Sequence, residues 1–362
     1  MTILHIASIT DDQSCGVNVI VPKHVFYQSK YANVALFNIS DNVYQNDDIK
    51  VFNRTDIKDL QPPFNKPDLV IFHGIYYIKY IKIARYLNNN NIPYIVFPHG
   101  SLSKIAIKSD FFKFIKKAAA HILIFNSFIK KAKAIQFLSQ GEKAISYFSQ
   151  KGIIIPNGIE TPQEYNRSQK EKDEINITFI GRKTKKIKGI DLLLKAVNKV
   201  KFELIKNNVK INIYGPNRGN TDNYINKFIK KNKLENLVFN HEAVFGESKN
   251  KVLENTDIFI HTSRTEGLPT AVIEAMSYGV PVLVTRGTGI YDDVKKYQCG
   301  WAAETNINSI AESLLAVAAE KSNFCIYGIN ARNYVYEQLS WDKVAYDAVK
   351  IFNDLGRKDV KN

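Results

Sequence analysis

Only three of the 362 residues are cysteines, Cys15, Cys299 and Cys325. They lie far apart, are odd in number and form no CxxC pair, which argues against a disulfide framework and a zinc site and leaves reduced thiols as the expectation. No apolar run approaches the roughly 20 residues needed to span a bilayer. The N-terminal MTILHIASIT lacks the basic region and long apolar stretch of a signal peptide and reads as a first strand, so a cytoplasmic protein is expected. Acidic residues are scarce too: 35 Asp and Glu stand against 50 Lys and Arg, a formal net charge of +15. A basic chain can suit nucleic acid, but no recognisable binding motif accompanies the charge, and none is expected as a partner.

At this length two domains are the prior, and 45% hydrophobic residues suffice for proper cores. Short apolar strands, at Thr2 to Ser8, Val34 to Ile39, Asp68 to Phe72 and Tyr94 to Phe97, alternate with helical stretches. A second series follows at Ile175 to Ile180, Val209 to Tyr214, Leu237 to Phe239, Asp257 to His261 and Pro281 to Thr285. The alternation predicts an α/β chain of two Rossmann-like, doubly wound domains with parallel strands and crossover helices. The expected N-terminal domain covers 1–160. A polar stretch nearly free of large apolar residues, 161–174, is the expected linker. The second domain covers 175–340, and 341–362 carries WDKVAYDAVKIFNDL, apolar at helical spacing.

The most informative segment runs from Ser263 to Thr285. Strand-like DIFIHTS enters a Gly-Leu-Pro turn, and Pro269 sits where a first-turn proline is tolerated. The predicted helix carries Glu274 about two turns in and stops at Gly279. Glu266 therefore falls in a strand-to-helix crevice, where α/β proteins place ligands and where helix N–H groups can receive a phosphate. Carboxylates are poor phosphate ligands, so two glutamates around such a turn suit hydroxyl donors, a sugar and a ribose.

The ordered string EGLPTAVIEAMSYGVPV resembles the donor-site signature of the retaining glycosyltransferases of family 4. VFPHGSLS at 96–103, IIIPNGIE at 153–160, FIGRKTKKIKGID at 179–191 and GVPVLVTRGTG at 279–289 follow the same order, and together they span nearly the whole chain. The resemblance implies the GT-B fold, two Rossmann-like domains facing a central cleft, with the first binding acceptor, the second binding a nucleotide sugar, and the last helix returning to the first domain. It further implies that Arg182 and Lys188 meet the donor diphosphate, where fixed cations stabilise the charge that grows on the leaving phosphate. In the basic loop RKTKKIK, Lys183, Lys185 and Lys186 are expected simply to face water. Donor contacts are implied over Glu266, Gly267, Leu268, Pro269, Thr270 and Glu274.

In PHG, His99 is implied to lie beside the donor sugar and to help stabilise charge at the anomeric carbon, giving His99, Arg182, Lys188 and Glu266 as the expected catalytic set. His73, in VIFHG, is the other candidate for the acceptor side, while His5 is left to the core. Gly16 falls in the glycine loop after the first strand, where family members often carry paired glycines and this chain has Cys15. Ala243 and Val244 lie in the stretch resembling the base pocket, but His241 stands where glycine is common, so uracil and guanine both remain open. Tyr214 and Gly215 fall nearby, and a core-edge tyrosine reads equally well. No two aspartates are separated by one residue, so the DxD metal clamp is missing and no metal or other cofactor is expected beyond the UDP- or GDP-linked donor.

Lys104 to Lys133 holds eight lysines against one aspartate, interleaved with phenylalanines. Such a segment suits an anionic membrane surface, or equally an amphipathic helix with its phenylalanines in the core. The reading is a cytoplasmic, membrane-peripheral, metal-independent transferase acting on a glycan or lipid-linked saccharide of a surface polysaccharide. A non-transferring sugar-nucleotide regulator, a phosphorylase and a sugar-nucleotide epimerase are the alternatives.

Overall fold

The computed structural model describes all residues except 13–14, 54, 100–117, 145, 147, 161–172, 218 and 357–362, and no side chains from 118–124. Most of the 104–133 segment and of the 161–174 stretch therefore lies outside the described residues.

The chain forms two compact units, Met1–Gly158 with Trp341–Asn362, and Ile159–Ser340. The first is built on seven strands: β1 (Thr2–Ala7), β2 (Asn33–Asn38), β3 (Val51–Asn53), β4 (Leu69–His73), β5 (Tyr94–Phe97), β6 (Ala134–Phe137) and β7 (Gly152–Ile154). Their order is β3-β2-β1-β4-β5-β6-β7, with every pairing parallel. The second unit has six: β8 (Ile175–Ile180), β9 (Val209–Tyr214), β10 (Val238–His241), β11 (Ile258–His261), β12 (Val282–Thr285) and β13 (Gly300–Ala303). These follow the order β10-β9-β8-β11-β12-β13, also parallel throughout. In both sheets the chain winds outward from an inner strand in each direction, so the strand order reverses beside β1 and β8, where doubly wound proteins bind ligands at the carboxyl ends.

Central strands such as LVIFH and IFIH are buried at every position, as expected of parallel strands covered on both faces. The expected strands all form, within a residue or two of their ends. Four more appear that periodicity did not single out. Two of them, β3 and β7, are only three residues long. Another, β13, reads GWAA, a composition with little intrinsic strand preference; its place is set by pairing with β12.

The helix Trp341–Gly356 buries Trp341, Val344, Ala345, Ala348, Val349 and Phe352, one stripe at helical spacing. That stripe packs in the first unit, where Val344, Ala348, Val349 and Phe352 share a core with β1, β2 and β4. Chain from the far end of the sequence thus completes the first unit.

Candidate functional site

In the second unit, two loops at neighbouring strand ends are tied together by their own backbones. After β8, Thr184 caps a single helical turn, Lys185–Lys188, and the chain turns at Gly189 with φ +66. A Cβ at Gly189 would fall 2.0 Å from the carbonyl oxygen of Thr262, so only glycine lets this loop meet the one after β11. The Thr262 hydroxyl donates to the Lys188 carbonyl (3.1 Å). Arg264, which sequence reasoning missed, donates to both Asp191 carboxylate oxygens (2.8 and 2.7 Å) and to the Lys185 carbonyl (2.8 Å). A bidentate guanidinium clamp of this kind fixes orientation as well as distance.

Glu266 sits where that clamp and the loop after β12 converge. Its N–H donates to the Gly287 carbonyl (2.8 Å), and the Gly289 N–H donates back to its own carbonyl (3.0 Å). The EGLP and TRGTG motifs are thus two sides of one structure. One carboxylate oxygen, Oε1, is paired with Lys188 Nζ. The other, Oε2, accepts from His261 Nε2 (2.5 Å) and Ser263 Oγ (3.0 Å). Burial alone would raise this carboxyl, but His261 and Lys188 outweigh it and hold Glu266 well below the usual carboxylate range. His261 is fully enclosed, and burial, partly offset by Glu266, lowers its pKa. Its proton faces Glu266 on Nε2, and its Nδ1 is the single buried side-chain polar atom without a hydrogen-bond partner among the described residues. A histidine ending the strand five residues before Glu266 was the available signal for this contact.

The cationic residues of RKTKKIK separate in an unexpected way. Arg182 is exposed and makes no ion pair or hydrogen bond with a described residue. Lys188 is buried against Glu266. Lys185 and Lys186 face solvent as expected, but Lys183 does not. It is 1% exposed and donates to Asp222 (2.7 Å), Asn240 (2.9 Å) and the His241 carbonyl (2.7 Å). The expectation of a solvated lysine is corrected here: Lys183 follows an exposed residue at a strand end, so its side chain turns inward and finds three acceptors.

The helix Thr270–Ser277 begins after Pro269 and carries Glu274, whose two oxygens both accept from Lys249 Nζ (2.9 Å each). Lys249 is a second residue sequence reasoning did not single out. Gly267 and Leu268 form the turn before this helix, and Thr270 is exposed at its start. Tyr214, ending β9, stacks on His241 at the end of β10 with ring centroids 4.3 Å apart and packs, partly buried, against the core that holds Ile180 and Phe259, as the core-edge alternative expects. Gly215 follows with φ +148, and a Cβ there would lie 1.8 Å from the Gly181 carbonyl oxygen. Ala243 and Val244 are half-buried in the loop after β10. Glu266, Lys188 and His261 are in direct contact, as are Glu274 and Lys249.

In the first unit, Gly16 is the exposed first residue of the helix Gly16–Ser29, and a side chain there would meet nothing within 4 Å. At Gly16 itself the expected glycine loop is therefore a helix start, where no described residue would clash with a side chain. His99 is a non-glycine residue at φ +48, stacked on Phe97, a strained conformation of the kind found at ligand sites. His73 is 1% exposed, which corrects its expected place on an acceptor-facing surface. Its Nδ1 lies 2.9 Å from His99 Nε2, so it stands behind His99. His5 is buried as expected, and its Nδ1 lies 2.8 Å from His73 Nε2.

Among the described residues no group of three or more His, Cys, Asp or Glu side chains is disposed to hold a metal ion. Among the described residues, too, no helix is long and apolar enough to cross a membrane.

Known proteins place these features in context. An uncharacterized glycosyltransferase of Methanocaldococcus jannaschii is 30% identical over 214 residues, 55% of this chain and 53% of the relative. The chain thus spans about half the length of that curated relative. Among solved structures, the lipopolysaccharide outer core galactosyltransferase WaaB superposes with a TM-score of 0.70 at 16% identity, covering 98% of this chain and 100% of WaaB. Anabaena HepE, solved in complex with UDP and glucose, gives 0.65 at 15% identity, with 98% and 100% coverage. At such identities the likeness establishes the fold, which is the two-domain GT-B architecture. Residues 161–333, which hold Arg182, Lys188, Glu266 and Glu274, match the family described as Glycosyl transferases group 1.

Proposed function

We propose that the protein is a retaining, metal-independent glycosyltransferase of family 4. In this reading it moves a sugar from a UDP- or GDP-linked donor to a glycan acceptor, a lipid-linked intermediate of a surface polysaccharide. The observation that carries the reading is the arrangement around Glu266, within the matched segment. An anionic carboxylate held by Lys188, His261 and Ser263 stands on the same pair of loops as Arg182, which is exposed and has no partner among the described residues. When the bond from the anomeric carbon to the diphosphate breaks, negative charge grows on the leaving oxygens, and cations already in place lower that barrier. Arg182 is free to meet it without giving up a partner. Lys188 reaches a phosphate by sharing or leaving Glu266, and the carboxylate oxygen thereby released accepts from a sugar hydroxyl. Arrival of the diphosphate and capture of the sugar are thus coupled through one ion pair.

Glu274 is assigned to the ribose hydroxyls, with Lys249 as its holder. N–H groups at the start of the Thr270–Ser277 helix are assigned to the phosphate. His99 is assigned a hydrogen bond to a donor-sugar hydroxyl. A peripheral position on the cytoplasmic face of a membrane, through the basic 104–133 segment, belongs to the same proposal and rests on composition alone.

The test is a thermal-shift panel of UDP, GDP, ADP and their sugars, since a ligand at about 100 times its Kd adds roughly 2.7 kcal/mol to the folded state. One base should raise the melting temperature above the others. Transfer from that donor to a lipid-linked saccharide should then give a product of unchanged anomeric configuration by NMR. No shift with any nucleotide would overturn the proposal, and an inverted product would remove the retaining mechanism.

A further inference from the structure

Four histidines of the first unit, together with Gln28 and Asn157, form one hydrogen-bonded chain. His99 Nε2 lies 2.9 Å from His73 Nδ1, and His73 Nε2 lies 2.8 Å from His5 Nδ1. His5 Nε2 lies 3.0 Å from Gln28 Oε1. Beyond the amide, Gln28 Nε2 faces His24 Nδ1 at 3.4 Å, and His24 Nε2 faces Asn157 Oδ1 at 3.1 Å. His5, His24, His73 and Gln28 are each no more than 2% exposed. His5, His73, His99 and Asn157 come from four different stretches of the chain, while His24 and Gln28 lie one turn apart on the helix Gly16–Ser29, and packing brings these stretches into line.

A neutral imidazole has one N–H and one bare nitrogen. Each link between two rings needs one of each, so the choice made at one link dictates the next. Gln28 makes that choice. Its Oε1 can only accept, so His5 donates from Nε2 and presents a bare Nδ1. His73 must then donate from Nε2, which leaves its Nδ1 to accept from His99 Nε2. On the other arm the Gln28 amide N–H donates to His24 Nδ1, and His24 donates onward to Asn157 Oδ1. All five links run in one direction, from His99 to Asn157, and reversing them requires both the Gln28 and the Asn157 amides to turn over. Single-sense chains of this kind polarise one another cooperatively. A proton added to any ring would give it two N–H groups and break the sense, and burial opposes the charge as well: it lowers the His5 and His99 pKa to about 3 and that of His24 to about 4.

We propose that Gln28, acting through His5 and His73, is a positioning residue that fixes His99 as its Nε2–H tautomer, so that His99 offers a bare Nδ1 to its ligand. No described residue occupies that Nδ1. The inference rests on the reading of His99 as a contact to the donor sugar and sharpens it: His99 is a hydrogen-bond acceptor there, matched to a sugar hydroxyl that donates and mismatched to a carboxylate or a fluorine at the same position.

The test is nitrogen-15 NMR of the histidine rings in the full-length chain with ring-labelled histidine, which separates protonated from bare ring nitrogens among the seven histidines. In the parent protein at neutral pH, His99, His73 and His5 should each carry a proton on Nε2 and none on Nδ1. In Gln28→Leu, checked for folding by circular dichroism, His99 should become a mixture of tautomers, and Gln28→Glu, which restores an acceptor, should return the Nε2–H form. A parent His99 protonated on Nδ1 would overturn the proposal without recourse to any variant. So would a His99 tautomer unchanged in folded Gln28→Leu, the result a merely structural network would give. These signals are read without donor or acceptor, so their failure is distinct from failure of the transfer reading, which shows as absence of nucleotide binding.

Discussion

Acid should unfold the first unit well before the usual carboxylate range, because its buried histidines must stay neutral. In the unfolded chain a histidine titrates near 6.5, whereas in the fold burial lowers His5 to about 3 and His24 to about 4, and drives His73 well below its ordinary value. The folded pKa values lie below the unfolded ones, so between them the unfolded state binds the extra protons. The stability they permit is therefore complete above about pH 6.5 and is lost as pH falls from there towards their folded pKa values. Each such histidine costs about 1.4 kcal/mol per pH unit across that window. At about pH 5, His5 and His24 together remove roughly 4 kcal/mol, and His73 acts in the same direction. That is a large share of the roughly 5–15 kcal/mol that holds a domain together. The chain has two tryptophans, one per unit, and Trp341 lies edge-on to His24 with ring centroids 5.1 Å apart. In a Trp301→Phe background, Trp341 fluorescence reports the first unit alone. Its urea midpoint should fall by about 2 M between about pH 7.5 and pH 5, taking a slope near 2 kcal/mol per molar. A midpoint that stays level across that interval, or a pH slope corresponding to fewer than two protons taken up on unfolding, would refute the reasoning.

Arg182→Ala should lower turnover by about two to three orders of magnitude with little change in melting temperature, since Arg182 has no partner to lose. Lys188→Ala should lower turnover similarly but also destabilise the second unit by a few kcal/mol, at the lower end of about 3–5 because Glu266 keeps some access to water. Identical melting of the two variants would show that the Lys188–Glu266 pair carries no stability. Glu274→Gln should weaken binding of the free nucleoside diphosphate by roughly tenfold or more, whereas Glu266→Gln should leave that affinity nearly unchanged and act on transfer; calorimetry beside turnover separates them. Lys183→Ala should unfold at clearly lower temperature, by about 3 kcal/mol, because Asp222 and Asn240 lose their shared donor. A parental melting curve would return Lys183 to the surface charges.

The architecture was legible because parallel strands buried on both faces leave continuous apolar runs, and nearly every central strand, from ILHIA to VLVT, announced itself that way. The turn and helix around Glu266 were legible for a related reason: Pro269 and Gly279 punctuate the chain locally, whatever packs around it. Short edge strands such as β3 and β7, and the Gly-Ala-rich β13, carry no such run and take their pairing from neighbours. Identity in composition hid the difference between Lys183, which is buried, and Lys185 and Lys186, which are not. All three belong to one basic loop, and only the three-dimensional position of Asp222 and Asn240 decides which of them is buried. Ordering the histidines was equally beyond periodicity, since positions 5, 73 and 99 meet only where β1, β4 and β5 lie side by side. What residue order alone determined is where the chain forms strands, turns and helix ends, because those depend on neighbours a few positions away. What tertiary structure decided is which charges face each other and which imidazole nitrogen is left bare, because electrostatic and hydrogen-bond partners are chosen by distance in space.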